Sequence, residues 1–189
     1  MGPFEYIALL ASIVIALGIT RVFTGFGRIL QIRKEINIYW VHLLWVVNVF
    51  LWLLLNWWIL YRWHTFEVWS FYLFIFILIS PMIAFLLSVL LLPEPIEGGI
   101  DLKIYFYDNA KWFFGLAALL PLLDAVDTRL KGWEHFVAQG PIYVITIVLI
   151  FILCVIGSRT KKEYYHIGFA IFFLVYILVF ISINLPVLL

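Results

Sequence analysis

One strongly hydrophobic segment, WVHLLWVVNVFLWLLLNWW, carries polar and indole side chains at helical spacing. On a helix with about 100° per residue, five of them fall within about a third of the circumference. They are His42, Trp45, Asn48, Trp52 and Asn56. Polar groups in hydrocarbon need hydrogen-bond partners, so this face is expected to point into a helix bundle or a cavity. Two interpretations stay open: hydrogen bonding between helices, or a polar and aromatic lining for a ligand or permeant.

A pair of carboxylates extends this candidate path. Asp124 and Asp127 lie three residues apart, which places them on one face near the end of a later hydrophobic segment. Such a pair can attract cations, but charges at a helix end can also simply be solvated. The candidate polar path therefore consists of His42, Asn48, Trp52, Asn56, Asp124 and Asp127.

The first hydrophobic segment ends in LGITRVFTGFGRIL, where Arg21 and Arg28 stand among residues expected to face lipid. Arg28 is expected to reach the headgroups. Arg21 lies deeper, so it either extends to lipid phosphate or forms an intramembrane ion pair. The candidate partner is Asp108, with Lys111 as a competitor one turn later.

Small residues recur every four positions along the same segment. They are Ala8, Ser12, Ala16, Thr20 and Thr24, with a second row formed by Gly18 and Gly25. Such a row lets another helix approach closely. We expect it to pack within the chain, or against a second copy of the chain in a homo-oligomer.

Four histidines raise the question of a haem. His42 and His166 are expected near one membrane face, and His64 and His135 near the other. Two such pairs across a helical bundle are what a transmembrane dihaem protein needs. Against this, His64 and His135 lie in short charged connections, where a haem would be exposed, so no cofactor is predicted.

The composition assigns the chain to membrane proteins. Of its 189 residues, 66% are hydrophobic and only 12% are charged, whereas soluble domains are about 45–50% apolar and about 25% charged. The net charge of +1 gives no reason to expect nucleic acid as a partner. A single cysteine, Cys154, excludes a disulfide framework. No catalytic motif and no metal-ligand cluster occurs, so an enzyme is not favoured.

A spanning helix needs about 20 mostly apolar residues, and six segments qualify. They are Phe4–Leu30, Trp40–Trp63, Ser70–Leu92, Ile104–Val126, Pro141–Gly157 and Tyr164–Val187. Their long apolar runs lack the alternation of barrel strands. The sequence therefore predicts an all-α fold: a single domain over residues 1–189, built as a bundle of six transmembrane helices.

The distribution of Lys and Arg predicts the orientation. Nine of the twelve lie on one side: Arg21, Arg28, Arg33, Lys34, Lys103, Lys111, Arg159, Lys161 and Lys162. Only Arg62, Arg129 and Lys131 lie on the other. Because cytoplasmic loops carry the excess of positive charge, both termini are predicted on the outer side. The expected location is a bacterial inner membrane.

Three functions are compatible with these features. The first is a channel- or transporter-like protein, oligomeric, with its path along the polar face of the second segment. The second is a non-catalytic accessory or scaffold subunit of a larger membrane complex. The third is a haem or quinone redox protein. The expected partners are the lipid bilayer and either further copies of the chain or other membrane proteins.

Overall fold

The computed structural model describes residues 2–66 and 68–184 of the chain. It is 81% helical, and the described residues contain no strand, which confirms the all-α fold class. The helices are α1 (Pro3–Gln31), α2 (Trp40–Leu60), α3 (Phe71–Leu91), α4 (Leu102–Ala117), α5 (Leu119–Leu130), α6 (Trp133–Ala138), α7 (Gly140–Gly157) and α8 (Glu163–Asn184). A 3₁₀ turn, Tyr61–Trp63, extends α2.

Helix starts follow local hydrogen bonding. The Ser70 side chain accepts a hydrogen bond from the Leu73 backbone N–H, which caps α3. The Asp101 carboxylate accepts from the backbone N–H groups of Lys103 and Ile104, which caps α4. Both satisfy donors that the first helical turn would otherwise leave unpaired.

Five helices are long and apolar enough to cross a membrane. They are Pro3–Gln31, Trp40–Trp63, Phe71–Leu91, Gly140–Gly157 and Glu163–Ile183. These correspond to five of the six predicted segments, and by length and composition they are the helices of a multi-pass membrane protein. Residues 185–187, at the end of the last predicted segment, lie outside the described residues.

The predicted segment Ile104–Val126 is not one continuous helix. It is divided between α4 and α5, which meet at Ala118 and are each too short to be counted as a candidate span. Pro121 explains the interruption, because it has no N–H to donate and its ring clashes with the carbonyl group four residues earlier. That carbonyl belongs to Ala117, the last residue of α4.

Two groups of contacts define the ends of the bundle. At one end the α1–α2 and α3–α4 connections pair through Asn37 and Asp101, and Lys103 forms an ion pair with Glu163 at the start of α8. We call this the basic end, because most of the lysines and arginines lie in and near these connections. At the opposite end, Trp63 after α2 donates to Asp127 of α5.

Helix α2 lies at the centre and packs against α1, α3 and α8. The pair α4–α5 runs beside it from end to end. Near the basic end, Tyr39 and Phe106 have ring centroids 5.9 Å apart. At the opposite end, Trp63 Nε1 lies 3.0 Å from Asp127 Oδ1. The α4–α5 pair is therefore as long as α2, although it is interrupted.

The packing face of α1 differs from the predicted ridge. Ala16, Thr20 and Thr24 are exposed, and Ala8 and Ser12 are only partly buried. The buried face instead follows a mixture of glycines and larger apolar residues: Ile7, Ala11, Ile15, Gly18, Val22, Gly25 and Ile29. Close approach explains this face: a Cβ at Gly18 would lie 2.7 Å from a methyl carbon of Leu53, and one at Gly25 would lie 2.8 Å from a methyl carbon of Leu92, and small residues let membrane helices pack this closely. Of the prediction, the glycine row is buried and Ala8 packs at its margin, whereas Ala16, Thr20 and Thr24 do not pack within the chain.

Candidate ligand-binding cavity

A cavity of about 110 Å³ lies between α2, α5, α7 and α8. Helix α2 contributes Trp45, Asn48 and Trp52 to its wall, and α5 contributes Asp124 and Asp127. Residues of α7 and α8 form the facing wall. A concave, largely apolar site with a few convergent polar groups is what small-molecule sites share.

The structure brings four of the six candidate path residues to this cavity: Asn48, Trp52, Asp124 and Asp127. Asn56 lines a smaller neighbouring cavity of about 80 Å³, where its amide oxygen accepts a hydrogen bond from Ser80. His42 lines neither cavity. Its Nε2 lies 2.6 Å from the Leu91 carbonyl oxygen, deep in the helix packing near the basic end. The predicted path is therefore not continuous.

Three buried polar atoms in the cavity wall have no hydrogen-bond partner among the described residues: Trp45 Nε1, Asn48 Oδ1 and Trp52 Nε1. The amide nitrogen of Asn48 is engaged, donating to the Ala170 carbonyl of α8 at 3.0 Å. The oxygen of Asn48 and the indole N–H groups of Trp45 and Trp52 are left without a hydrogen bond. Buried polar groups are nearly always paired, so three unpaired ones along a single cavity call for an explanation.

The carboxylates are held by the fold. The Tyr143 hydroxyl donates to Asp124, with its oxygen 2.9 Å from Oδ2, and it accepts from the Thr128 hydroxyl at 2.7 Å. Asp127 accepts from Trp63 and from Lys131, whose Nζ lies 2.6 Å from Oδ2. The two side chains therefore sit in a hydrogen-bonded rim rather than as a free cation site.

The rim includes residues that the sequence did not single out. Tyr143 and Lys131 hold the carboxylates, and Phe173 faces the α2 indoles from α8. Tyr143 could have been noticed as a polar tip one turn into an otherwise apolar helix. Nothing in the sequence indicates that Phe173 rather than a neighbouring aromatic residue faces the cavity.

Aromatic rings close the cavity towards the basic end. The Trp45 ring contacts Phe113, Phe114 and Phe169, with centroids 5.4, 5.1 and 5.1 Å apart, mostly edge to face. Below them, Phe106 and His166 are fully buried. Towards the other end the lining reaches exposed residues, Arg62, His135 and Gln139. The cavity therefore has a mouth at one end of the bundle and a closed floor.

The histidines do not suit the haem hypothesis. His42 and His166 both pack against the ring of Phe106, with centroids 6.2 and 5.3 Å apart. The Nε2 of His166 lies 3.0 Å from the Thr160 carbonyl, so it is engaged like that of His42. The Nδ1 atoms of both histidines have no hydrogen-bond partner among the described residues. At the opposite end, His64 and His135 are exposed.

The predicted pair of Arg21 and Asp108 is not formed. Arg21 instead forms an ion pair with Glu94 and donates from Nη2 to the Leu92 carbonyl at 2.5 Å. Asp108 is exposed and makes no ion pair among the described residues. The reason is the α3–α4 connection, which folds back against the end of α1 and brings Glu94 closer. Arg28 joins it by donating to the Ile96 carbonyl.

No protein-family model, curated protein or solved structure matches the chain. Its class is that of an all-helical, multi-pass membrane protein, with a cavity between its helices.

Proposed function

We propose that the chain is a small transporter-like membrane protein that binds a solute in the cavity between α2, α5, α7 and α8. The observation that carries the proposal is the set of unpaired polar atoms on Trp45, Asn48 and Trp52. Leaving a buried donor or acceptor unpaired costs about 1–3 kcal/mol. A bound solute that supplies the missing hydrogen bonds would offset that cost.

The proposal includes six crossings, with α4 and α5 together forming the fourth. Its support is the position of α4–α5 beside α2, from Tyr39–Phe106 at one end to Trp63–Asp127 at the other. Non-helical backbone within a membrane is tolerated where protein buries it, and Ala118 at the junction is buried. The excess of Lys and Arg at the basic end favours the cytoplasm for that end. The termini and the cavity mouth then face outward, in a bacterial inner membrane.

A transporter suits this geometry better than an open channel. The rings of Trp45, Phe113 and Phe169 pack in edge-to-face contact below the cavity, which leaves a closed floor. A solute entering from the mouth would stop there until the helices moved. Alternating access by rocking of helix groups around a central site is how many transporters work.

Cysteine accessibility tests the proposal. In a Cys154→Ser background, Ile147→Cys and Ala117→Cys place thiols on the cavity wall. Ile145→Cys is the matched control, two residues away on α7 but 65% exposed on the lipid-facing side. Each variant is treated with a membrane-impermeant thiol reagent, once in intact cells and once in inverted vesicles.

We expect labelling of the two cavity positions from the outside and none at Ile145→Cys. Labelling of Ala117→Cys with equal rates from both sides would indicate a channel instead. If neither cavity position reacts more than the control, the cavity is not open to water and the transporter proposal is wrong. The scaffold function would then be favoured.

A further inference from the structure

The unpaired atoms in the cavity describe a specific hydrogen-bonding requirement. Trp45 and Trp52 each offer an indole N–H, which can only donate, and Asn48 offers an amide oxygen, which can only accept. All three lie on one face of α2, and both indole rings pack near Phe173, with centroids 5.7 and 6.3 Å away. Asn48 and Trp52 are one helical turn apart, so their side chains are neighbours on the surface of α2. A hydroxyl group suits this pair, because it can accept from the Trp52 N–H with a lone pair and donate its proton to the Asn48 oxygen.

The cavity has room for one ring at most. Its volume is about 110 Å³, and an apolar protein cavity of about 150 Å³ accommodates benzene. A single ring would therefore fill the cavity and extend into its open mouth, and a bicyclic body would not fit without movement of the wall.

The walls favour a flat aromatic body. Phe113, Phe169 and Phe173 surround the Trp45 ring at centroid distances of 5.1 to 5.7 Å. Aromatic pairs in edge-to-face or offset geometry gain about 0.5–1.5 kcal/mol beyond the burial of their area. A bound ring could extend this array without disturbing it.

The charges of the lining balance. Two carboxylates, Asp124 and Asp127, face two cations, Arg62 and Lys131, and Lys131 is already paired with Asp127. The formal charges of these four side chains therefore sum to zero. A charged ligand would have to lose its hydration without gaining a free counter-charge, which is costly.

We infer that the solute is an uncharged, single-ring aromatic compound bearing a hydroxyl group, that is, a phenol-like molecule or the phenol-like head of a larger amphipath. The hydroxyl binds between Asn48 and Trp52, and the ring lies against Phe173. This inference rests on the proposed function, because it requires the cavity to admit a solute. It goes further in assigning the chemical class and the two groups that recognise the hydroxyl.

Four probes with the same ring separate the contributions: phenol, toluene, benzylamine and benzoate. Their dissociation constants are measured by isothermal titration calorimetry on the purified full chain in detergent, with empty micelles as the reference for partitioning. We expect phenol to bind most tightly, toluene about three- to tenfold more weakly, and benzylamine and benzoate more weakly than toluene. The ratio of the toluene and phenol dissociation constants corresponds to the net free energy of about one hydrogen bond.

The variants Trp52→Phe and Asn48→Leu then identify the contacts. Trp52→Phe removes the indole N–H alone, and Asn48→Leu removes the amide oxygen together with the N–H that donates to Ala170. Each should weaken phenol binding by about three- to tenfold relative to toluene binding. Trp57→Phe is the control, since Trp57 is on the same helix but 54% exposed. Two variants are used so that a failure of one to fold does not leave the question open.

The inference is overturned if toluene binds as tightly as phenol, if a charged probe binds best, or if neither variant changes phenol binding. Failure of the inference and failure of the proposed function remain distinguishable. If the probes fail but Ile147→Cys is labelled from outside, the cavity takes a solute of another class. If that position is also unreactive, the transporter proposal itself falls.

Discussion

Replacing Gly25 by alanine tests how closely α1 approaches the end of α3. A Cβ at Gly25 would lie 2.8 and 3.0 Å from the two δ-methyl carbons of Leu92 and 3.1 Å from its Cβ. Leu92 is fully buried, so its side chain has no open space to move into. Gly27 is a matched control in the same helix, because a Cβ there would meet nothing within 4 Å. Only one of the two alanines should therefore disturb the packing.

The expected difference can be worked out from two contributions. Both variants gain the helix preference of alanine over glycine, about 1 kcal/mol. Overpacking costs Gly25→Ala about 1–3 kcal/mol. Gly27→Ala should therefore be more stable than the parent by about 1 kcal/mol, and Gly25→Ala less stable by about 0–2 kcal/mol. Their difference, in which helix preference cancels, should be about 1–3 kcal/mol.

The free energy of unfolding is measured by titrating SDS into mixed micelles and following helicity by far-UV circular dichroism. Gly18→Ala serves as an intermediate. A Cβ there would lie 2.7 and 3.1 Å from the δ-methyl carbons of Leu53, which is also fully buried, but it would not meet the Cβ of that residue as a Cβ at Gly25 meets the Cβ of Leu92. The expected order of stability is Gly27→Ala, then Gly18→Ala, then Gly25→Ala. If Gly25→Ala proves as stable as Gly27→Ala, α1 does not approach α3 as closely as the structure shows.

Two further predictions concern the basic end. In double-mutant cycles, Arg21→Ala and Glu94→Gln should couple by up to about 1 kcal/mol because Glu94 is largely exposed, whereas Arg21→Ala and Asp108→Asn should have additive effects on the free energy of unfolding. Arg21→Ala alone should cost about 1.5–3 kcal/mol more stability than Glu94→Gln, since it also loses the bond to the Leu92 carbonyl. Strong coupling between Arg21 and Asp108 would contradict this arrangement. The hydrogen bond from the Ile104 backbone N–H lowers the pKa of Asp101 below its ordinary value of 3.8, so Asp101 stabilises the fold above about pH 4 and loses this contribution as the pH falls through its lowered pKa. As the pH is lowered from 7 to 3, the melting temperature should therefore fall more steeply for the parent than for Asp101→Asn, which keeps the cap but does not titrate. Equal slopes in the two proteins would show that protonation of Asp101 does not affect stability.

Most of the fold could be predicted from hydrophobic length alone. Five of the six predicted segments are continuous helices, because a run of about 20 apolar residues has few alternatives in a membrane protein. The fourth was wrong as a single helix, and the reason was visible in the sequence. Pro121 lies inside that segment, five residues before its end, and a proline there removes a hydrogen bond to the residue four positions earlier.

Side-chain partners could not be predicted in the same way. Arg21 was assigned to Asp108 by depth in the membrane, but depth says nothing about how a loop folds back. The connection that contains Glu94 reaches the end of α1 because its backbone is fixed by contacts with the α1–α2 connection, such as Gly99 N–H to the Glu35 carbonyl. Those contacts join residues more than sixty positions apart, and no local pattern encodes them.

His42, Trp45, Asn48, Trp52 and Asn56 form a polar stripe along one face of α2. Helix packing uses some members of this stripe for contacts between helices and leaves others beside the cavity. His42 contacts the Leu91 carbonyl of α3. Asn56 uses both ends of its amide, donating to the Trp52 carbonyl and accepting from Ser80 of α3. Asn48 is engaged only through its nitrogen.

The two outer members of the stripe therefore join helices, His42 through the Leu91 carbonyl and Asn56 through Ser80, although the Nδ1 of His42 has no partner among the described residues. The central part, from Trp45 to Trp52, retains one acceptor and two donors beside a cavity. What distinguishes these three from the other unpaired buried atoms, Arg21 Nε, His42 Nδ1 and His166 Nδ1, is that they belong to residues lining a single cavity. If the protein binds a solute, the seven-residue interval between the two indoles is where α2 must recognise it.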